Sequence, residues 1–470
     1  MYEKNVRLVR IELSDYKNVT YGKLEMPCAV NRDFSCDRAE ILGIYGQNGS
    51  GKTAVIEALS LTKTLLSANP LPPDTADGIA QNASSSSCTL TFFIGDENEG
   101  VCAEYAFTVK RDSENASAPV YISEEMLSYR AVSEGRLAPS RTLIRYEADK
   151  TGAFLSPKNR YTSMVRNEDD AVELAVAKKL SRRGAFSFLF SADVRPFLLR
   201  SLKDSADDLA LKTILSALPR YAGQGFFVVD SNHSGTISLG AVMPLALQFD
   251  GDDETPESTL LSLTEPSVQP LAVYGFIQSS VAAINHVLGV LIPGMRLSVK
   301  EYGGQFTEDG KEGMRFEILS VRGETKIPLK CESEGIKKLI SVLSILIAMY
   351  NHPSVLVAVD EFDAGVYEYL LGEILGILEE NGRGQLIFTS HNLRPLEMID
   401  RKDIIFTTTT NPNNRFIRLS PSKGNLRDQY IRSIHVGGQK EELYGYSNPL
   451  EIARAFRLAG KEGRANKERM

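Results

Sequence analysis

The run Gly46-Gln47-Asn48-Gly49-Ser50-Gly51-Lys52-Thr53 has the plainest chemical purpose of any segment in this 470-residue chain. Its glycines let successive backbone N–H groups turn to one side, where they can converge on phosphate oxygens. Lys52 adds a positive charge near the β- and γ-phosphates of a nucleotide, and the Thr53 hydroxyl can serve as a ligand to Mg²⁺. That chemistry requires the loop to join a buried strand to the start of a helix, whose N-terminus favours an anion.

Asp360-Glu361 closes the apolar run 355–359. An aspartate at the carboxyl end of a buried strand can bind Mg²⁺ through its water shell, and an adjacent carboxylate can polarise an attacking water. Alone, such an acid pair is an ordinary solvated strand end; paired with a phosphate loop it completes a site for nucleotide hydrolysis. His391 follows the next apolar run, 385–389, where an imidazole can reach a γ-phosphate. His233, His286, His352 and His435 read as surface or core residues. Ser333-Glu334-Gly335 opens an apolar helix upstream of Asp360. Its hydroxyl and free N–H groups suit either a second anion site or a simple helix cap, and the residues leave both open.

These groups need elements to hold them. Residues 6–13 alternate as a half-buried strand does, and 39–45 is the apolar strand that feeds the glycine loop. Beyond Thr53 the period changes: Val55, Ile56, Leu59 and Leu66 recur at helical spacing. Residues 70–87, rich in Pro, Asp, Asn and Ser, read as a loop, with strands near 88–94 and 102–110. From about 160 to 290 the pattern is mostly helical, without a sustained heptad. Strands are expected at 295–301 and 314–322, separated by a turn at Tyr302-Gly303-Gly304. Runs 355–359 and 385–389 have the continuous apolarity of parallel strands, and a helix over 366–379 supplies the right-handed crossover. Four regions result: 1–155 with the phosphate loop, a mostly helical insertion at 156–290, 291–420 with the acid pair and histidine, and a tail at 421–470. The tail is expected to hold a Gly-rich turn at 433–439 and a helix from Pro449 to Leu458.

Composition sets the outer bounds. At 43% hydrophobic and 24% charged residues the chain is an ordinary globular one, long enough for a core with a large insertion or for two domains. The formal net charge of −7 argues against coating nucleic acid through an overall field. A local basic group, Lys178, Lys179, Arg182 and Arg183, reads as a solvated helix face before it reads as a nucleic-acid contact. Cys28, Cys36, Cys88, Cys102 and Cys331 show neither Cys-x-x-Cys nor metal spacing and are expected to be free thiols. No run of about 18 apolar residues or signal-peptide layout is present, so a cytoplasmic protein without membrane contact is expected.

Taken in order, Asn48-Gly49-Ser50-Gly51-Lys52-Thr53, Ser333-Glu334-Gly335, Asp360-Glu361 and Thr389-Ser390-His391-Asn392 resemble the α/β P-loop core of ABC-type ATPases in its SMC, RecF and OLD version. The likeness covers roughly residues 1–130 and 290–410. Asp15-Tyr16-Lys17-Asn18-Val19 is similar to the element that opens such proteins, although Asp15 and Tyr16 depart from it. The resemblance implies ATP and Mg²⁺ as cofactors and a head-to-tail pair of identical chains. Gly46 to Lys52, with Lys17 and Asn18, would bind the nucleotide, and Thr53 and Asp360 the metal. Glu361 would be the general base, His391 would sense the γ-phosphate, and Ser333 and Gly335 would close over the partner's ATP. Asp363 falls where a segment usually reaches across the pair; the expected glutamine loop finds no match, Gln81 included. OLD-type relatives carry a Toprim nuclease after the ATPase, and the stretch after His391 is too short for one. The chain is therefore similar to the ATPase subunits of bacterial anti-phage systems such as PARIS and Septu, which work with a separate effector, possibly a nuclease. An ATP-dependent scaffold that holds an effector and a RecF-like DNA-repair ATPase are the other readings, so DNA stays a possible partner.

Overall fold

The computed structural model describes residues 4–112, 119–229, 242–245, 259–262, 265–363, 366–408, 410–411, 413–420, 425–436, 443 and 449–467. A six-stranded sheet runs in the order Phe226–Val229, Leu356–Val359, Gln385–Thr389, Glu40–Tyr45, Ile404–Thr407, Phe416–Ile417. All but the last strand are parallel to their neighbours. Phe226–Val229 through Ile404–Thr407 are buried at every position, as expected for strands with helices on both faces. We refer to Glu40–Tyr45 as the loop strand, Leu356–Val359 as the acid strand and Gln385–Thr389 as the switch strand. The loop strand feeds the helix Lys52–Leu66, and the helix Glu368–Asn381 crosses from acid strand to switch strand.

A second, antiparallel sheet carries the amino-terminal strands Asn5–Tyr16, Ser85–Asp96, Glu99–Arg111 and Val120–Ser133 in adjacent positions. Glu97 and Asn98, both at positive φ, form the tight turn that links two of them in the twist a hairpin prefers. One side chain joins the two sheets. Gln385, first in the switch strand, accepts from the Leu8 N–H (2.7 Å) and donates to the Leu8 carbonyl (2.7 Å) and to Glu40 (2.7 Å). Arg7 completes the joint through an ion pair with Glu40 at 3.0 Å, both residues being buried.

The helical stretch is docked rather than projecting. Helix Glu168–Gly184 is capped by Asn167 and helix Ala206–Gln224 by Ser205. The latter buries Leu211, Ile214, Leu215 and Leu218, the spacing of one helical face. Fully buried Glu125 fastens the segment between them to the antiparallel sheet, accepting from Tyr105 Oη (2.6 Å), Ser187 Oγ (2.5 Å) and the Phe188 N–H (2.7 Å). Phe226–Val229, inside the span expected as an insertion, is an edge strand of the parallel sheet, paired with the acid strand. The region 156–290 therefore contributes to the parallel sheet itself.

Smaller differences have local causes. The expected loop 70–87 contains the short helix Thr75–Gly78, and strand pairing already starts at Ser85. Tyr302-Gly303-Gly304 is not a turn: strand Met295–Phe306 runs through it with a register shift that Gly303, at φ +112°, accommodates, and reversal occurs at 307–311 before Glu312–Arg322. Among the described residues one helix, Leu271–Leu291, is long and apolar enough to cross a bilayer. Its Val273, Ile277, Ile284 and Leu288 belong to the core cluster around the parallel sheet. In the tail, Leu426–Val436 and Pro449–Lys467 are helices, so 433–436 are helical, and 437–440 lie outside the described residues.

Gln385→Leu would leave the Leu8 amide, the Leu8 carbonyl and Glu40 without this partner. Unpaired buried groups cost about 1–3 kcal/mol each, so urea unfolding should show a loss of roughly 3 kcal/mol; a loss under about 1 kcal/mol would contradict the joint.

Candidate functional site

At the carboxyl end of the loop strand the chain turns through Gly46 at φ +154°. A Cβ there would lie 1.7 Å from Thr407 Oγ1 and 3.0 Å from Ser50 Oγ, so only glycine fits between the loop and the neighbouring strand. Ser50 Oγ donates to the Gln47 carbonyl (2.6 Å) and shares a hydrogen bond with Thr407, which also reaches the Tyr45 carbonyl (3.2 Å). Arg415 spans from the other side, donating to the Ser50 carbonyl (3.0 Å) and the Asn18 carbonyl (2.8 Å). The Asn18 amide in turn donates to the Gly49 carbonyl. Lys52 lies folded over the loop, its ammonium 2.8 Å from the Gly46 carbonyl and 3.1 Å from that of Gln47. Burial pushes its pKa down, against the pull of Asp360, Glu361 and Asp363.

Two strands away, the acid strand ends in Asp360, only 1% exposed. Thr389, last residue of the switch strand between the two, donates to Asp360 Oδ1 (2.5 Å) and accepts from the Glu361 N–H (2.7 Å). The Phe362 N–H bonds to the Thr389 carbonyl at 3.0 Å. Asp363 accepts the backbone N–H groups of His391 (3.1 Å) and Asn392 (3.0 Å). The turn after the acid strand and the turn after the switch strand are thus laced together.

These pieces enclose one cleft of about 430 Å³, lined by Asn48, Gly49, Gly51, Lys52, Thr53, Lys17, Asn18, Asp360, Glu361 and His391. Residues expected from separate parts of the sequence therefore face a common space. Lys17 is held at its rim by an ion pair with buried Glu57, which also accepts from Tyr16 Oη (3.1 Å). Ser333 and Gly335 do not line the cleft; Ser333 caps the helix Glu334–Asn351, accepting from the Ile336 N–H at 3.4 Å. Of the basic group, Lys178 lies over the Phe154 ring and Arg182 over Tyr121 while paired with Asp149, so both are engaged in packing. The five cysteines are free. Thr407 and Arg415 had no sequence signal: each contacts the site across hundreds of residues.

Thr53 and Asp360 bring a hydroxyl and a carboxylate to the same cleft, the hard oxygen donors Mg²⁺ takes beside phosphate and water, and the residues fit that ion. A glycine loop and an acid pair at the carboxyl edge of a parallel sheet, with the switch strand between them, make the core of a P-loop ATPase. The family model described as "AAA domain, putative AbiEii toxin, Type IV TA system" matches residues 41–397, and the chain belongs to that family. No protein of curated function matches it. Among solved structures it is similar to an Smc head bound to the C-winged helix domain of ScpA, at 13% identity over 89% of this chain and 98% of that one, TM-score 0.41. It is also similar to the SMC head domain from Thermotoga maritima (16%, 88% and 100%, TM-score 0.37) and to RecF-ATP (12%, 82% and 94%, TM-score 0.35). Identities and scores this low say nothing of what the chain binds.

Gly46→Ala should distort the loop against Thr407 and weaken ATP binding by about tenfold or more, about 1.4 kcal/mol, in a titration with labelled nucleotide. Affinity unchanged within about twofold would mean the loop is not the phosphate cradle.

Proposed function

We propose that this chain is an ATP-hydrolysing head that acts in pairs, closing around nucleotide and opening after hydrolysis. The observation that carries the reading is the single cleft shared by Lys52, Thr53, Asp360, Glu361 and His391. Backbone N–H groups of 46–53 and Lys52 would hold the phosphates, and Thr53 and Asp360 would hold Mg²⁺, which supplies charge neutralisation on the phosphate oxygens. Glu361 would accept a proton from the attacking water, and His391 would contact the γ-phosphate, its backbone fixed by Asp363. Thr389 keeps Asp360 and the Glu361 backbone in register.

Ser333 and Gly335 stand apart from this cleft with the capped end of their helix exposed, which supports their closing over the nucleotide of a second copy. In this reading neither copy has a complete site, and assembly is part of the mechanism. The family description, with its mention of a toxin and a TA system, supports a place in a defence-type system; a separate effector protein is what the resemblance to ATPase subunits of anti-phage systems implies. The commitment of Lys178 and Arg182 to packing ranks a DNA-repair role lower.

Glu361→Gln should bind ATP with wild-type affinity, accumulate as an ATP-bound dimer in light scattering, and lose turnover by about 10²-fold or more, the range for removing a general base. Hydrolysis at the wild-type rate would remove Glu361 from the role.

A further inference from the structure

Glu361 has a left-handed backbone, φ +48°, a conformation that a non-glycine residue holds only when its surroundings enforce it. The polar groups on its main chain show how. Its N–H donates to Thr389 Oγ1 at 2.7 Å, and its carbonyl accepts from the Lys338 ammonium. Side chains from two other elements thus clamp both sides of the residue that would act as base.

Lys338 is an unusual donor for a carbonyl. It is buried, and burial pushes its pKa down, while Asp363, Glu361 and Asp360 draw it back up. Its own backbone carbonyl accepts from Ser341 Oγ (2.6 Å) on the following turn. It sits one turn into Glu334–Asn351, the helix that Ser333 caps, whereas neighbouring Lys337 instead pairs with Glu334 at 2.5 Å. The helix that begins at Ser333 and the acid turn are therefore joined through one ammonium group.

We infer that Lys338 is a positioning residue for ATP hydrolysis: by holding the Glu361 carbonyl it keeps that residue in its left-handed turn and aims its carboxylate into the cleft, tying the base to the helix that starts at Ser333. The inference rests on the reading of Glu361 as the base. Lys338 touches neither nucleotide nor water in this scheme, so its removal acts on turnover and leaves binding intact.

The test compares wild type, Lys338→Met, Lys338→Arg and Glu361→Gln as full chains, measuring ATP affinity, kcat at saturating Mg-ATP and hydrogen exchange over residues 356–363. Lys338→Met should lower kcat by about tenfold or more with ATP affinity within about threefold, and exchange at 356–363 should quicken. Lys338→Arg, which keeps a charged donor, should restore kcat to within about threefold of wild type. A Lys338→Met enzyme that turns over within about twofold of wild type, while Glu361→Gln is inactive, overturns the inference and leaves the assignment of the base standing. An equal loss of affinity and turnover also overturns it. Wild-type turnover by Glu361→Gln removes the base, and the inference with it. Should Lys338→Met fail to fold, Lys338→Gln is read in the same assays against the same thresholds.

Discussion

The parallel pairing of the switch strand with both its neighbours is the constraint on which the site depends. Val359 lies opposite Phe388 on one side, and Thr389 lies opposite Ile44 on the other. Three strands therefore end at nearly one level, and the chain leaving each of them meets the others at the carboxyl edge of the sheet, where ligands of open α/β sheets bind. Slipping the register by one residue would separate Thr389 from Asp360 and move the glycine loop off Thr407. Gln385 guards the opposite end of the switch strand by bonding to Leu8 in the second sheet and to Glu40 in the loop strand. Catalytic geometry and the joint between the two sheets are thus set by the two ends of the same strand.

Around this frame, backbone conformations that ordinary residues avoid are placed where they serve chemistry. Gly46 turns the loop in a space that excludes a side chain. Glu361 adopts a positive φ under the grip of Thr389 and Lys338. Two buried lysines, Lys52 and Lys338, face the carboxylates Asp360, Glu361 and Asp363 from opposite elements. The attraction between these lysines and carboxylates offsets part of the cost of burying them together.

Much of this was legible in the sequence, and the reason is locality. The loop at 46–53 and the pair Asp360-Glu361 are short segments whose chemistry needs no distant partner to be recognised, and continuous apolar runs marked the buried strands on either side. Phe226–Val229 escaped because four apolar residues after a long helix look like the helix continuing; only pairing with the acid strand makes them a strand. Tyr302-Gly303-Gly304 was expected as a turn since glycine pairs usually make one, but here Gly303 absorbs a bulge and the strand continues. Lys338, Thr407 and Arg415 were invisible for a different reason. Their roles are contacts between elements far apart in sequence, and their residue types are equally common in solvated positions.

We propose that one active site needs two chains: the loop and acid pair of one and Ser333-Glu334-Gly335 of the other. Mixing two defective proteins tests it most directly. Lys52→Ala removes the phosphate contact, Ser333→Arg blocks closure over a partner's nucleotide, and each alone should be inactive. Mixed in equal amounts, random pairing should restore about a quarter of the wild-type rate, because each mixed pair holds one intact composite site. Full activity of Ser333→Arg on its own, or no recovery in a mixture shown to contain mixed pairs, would contradict the account.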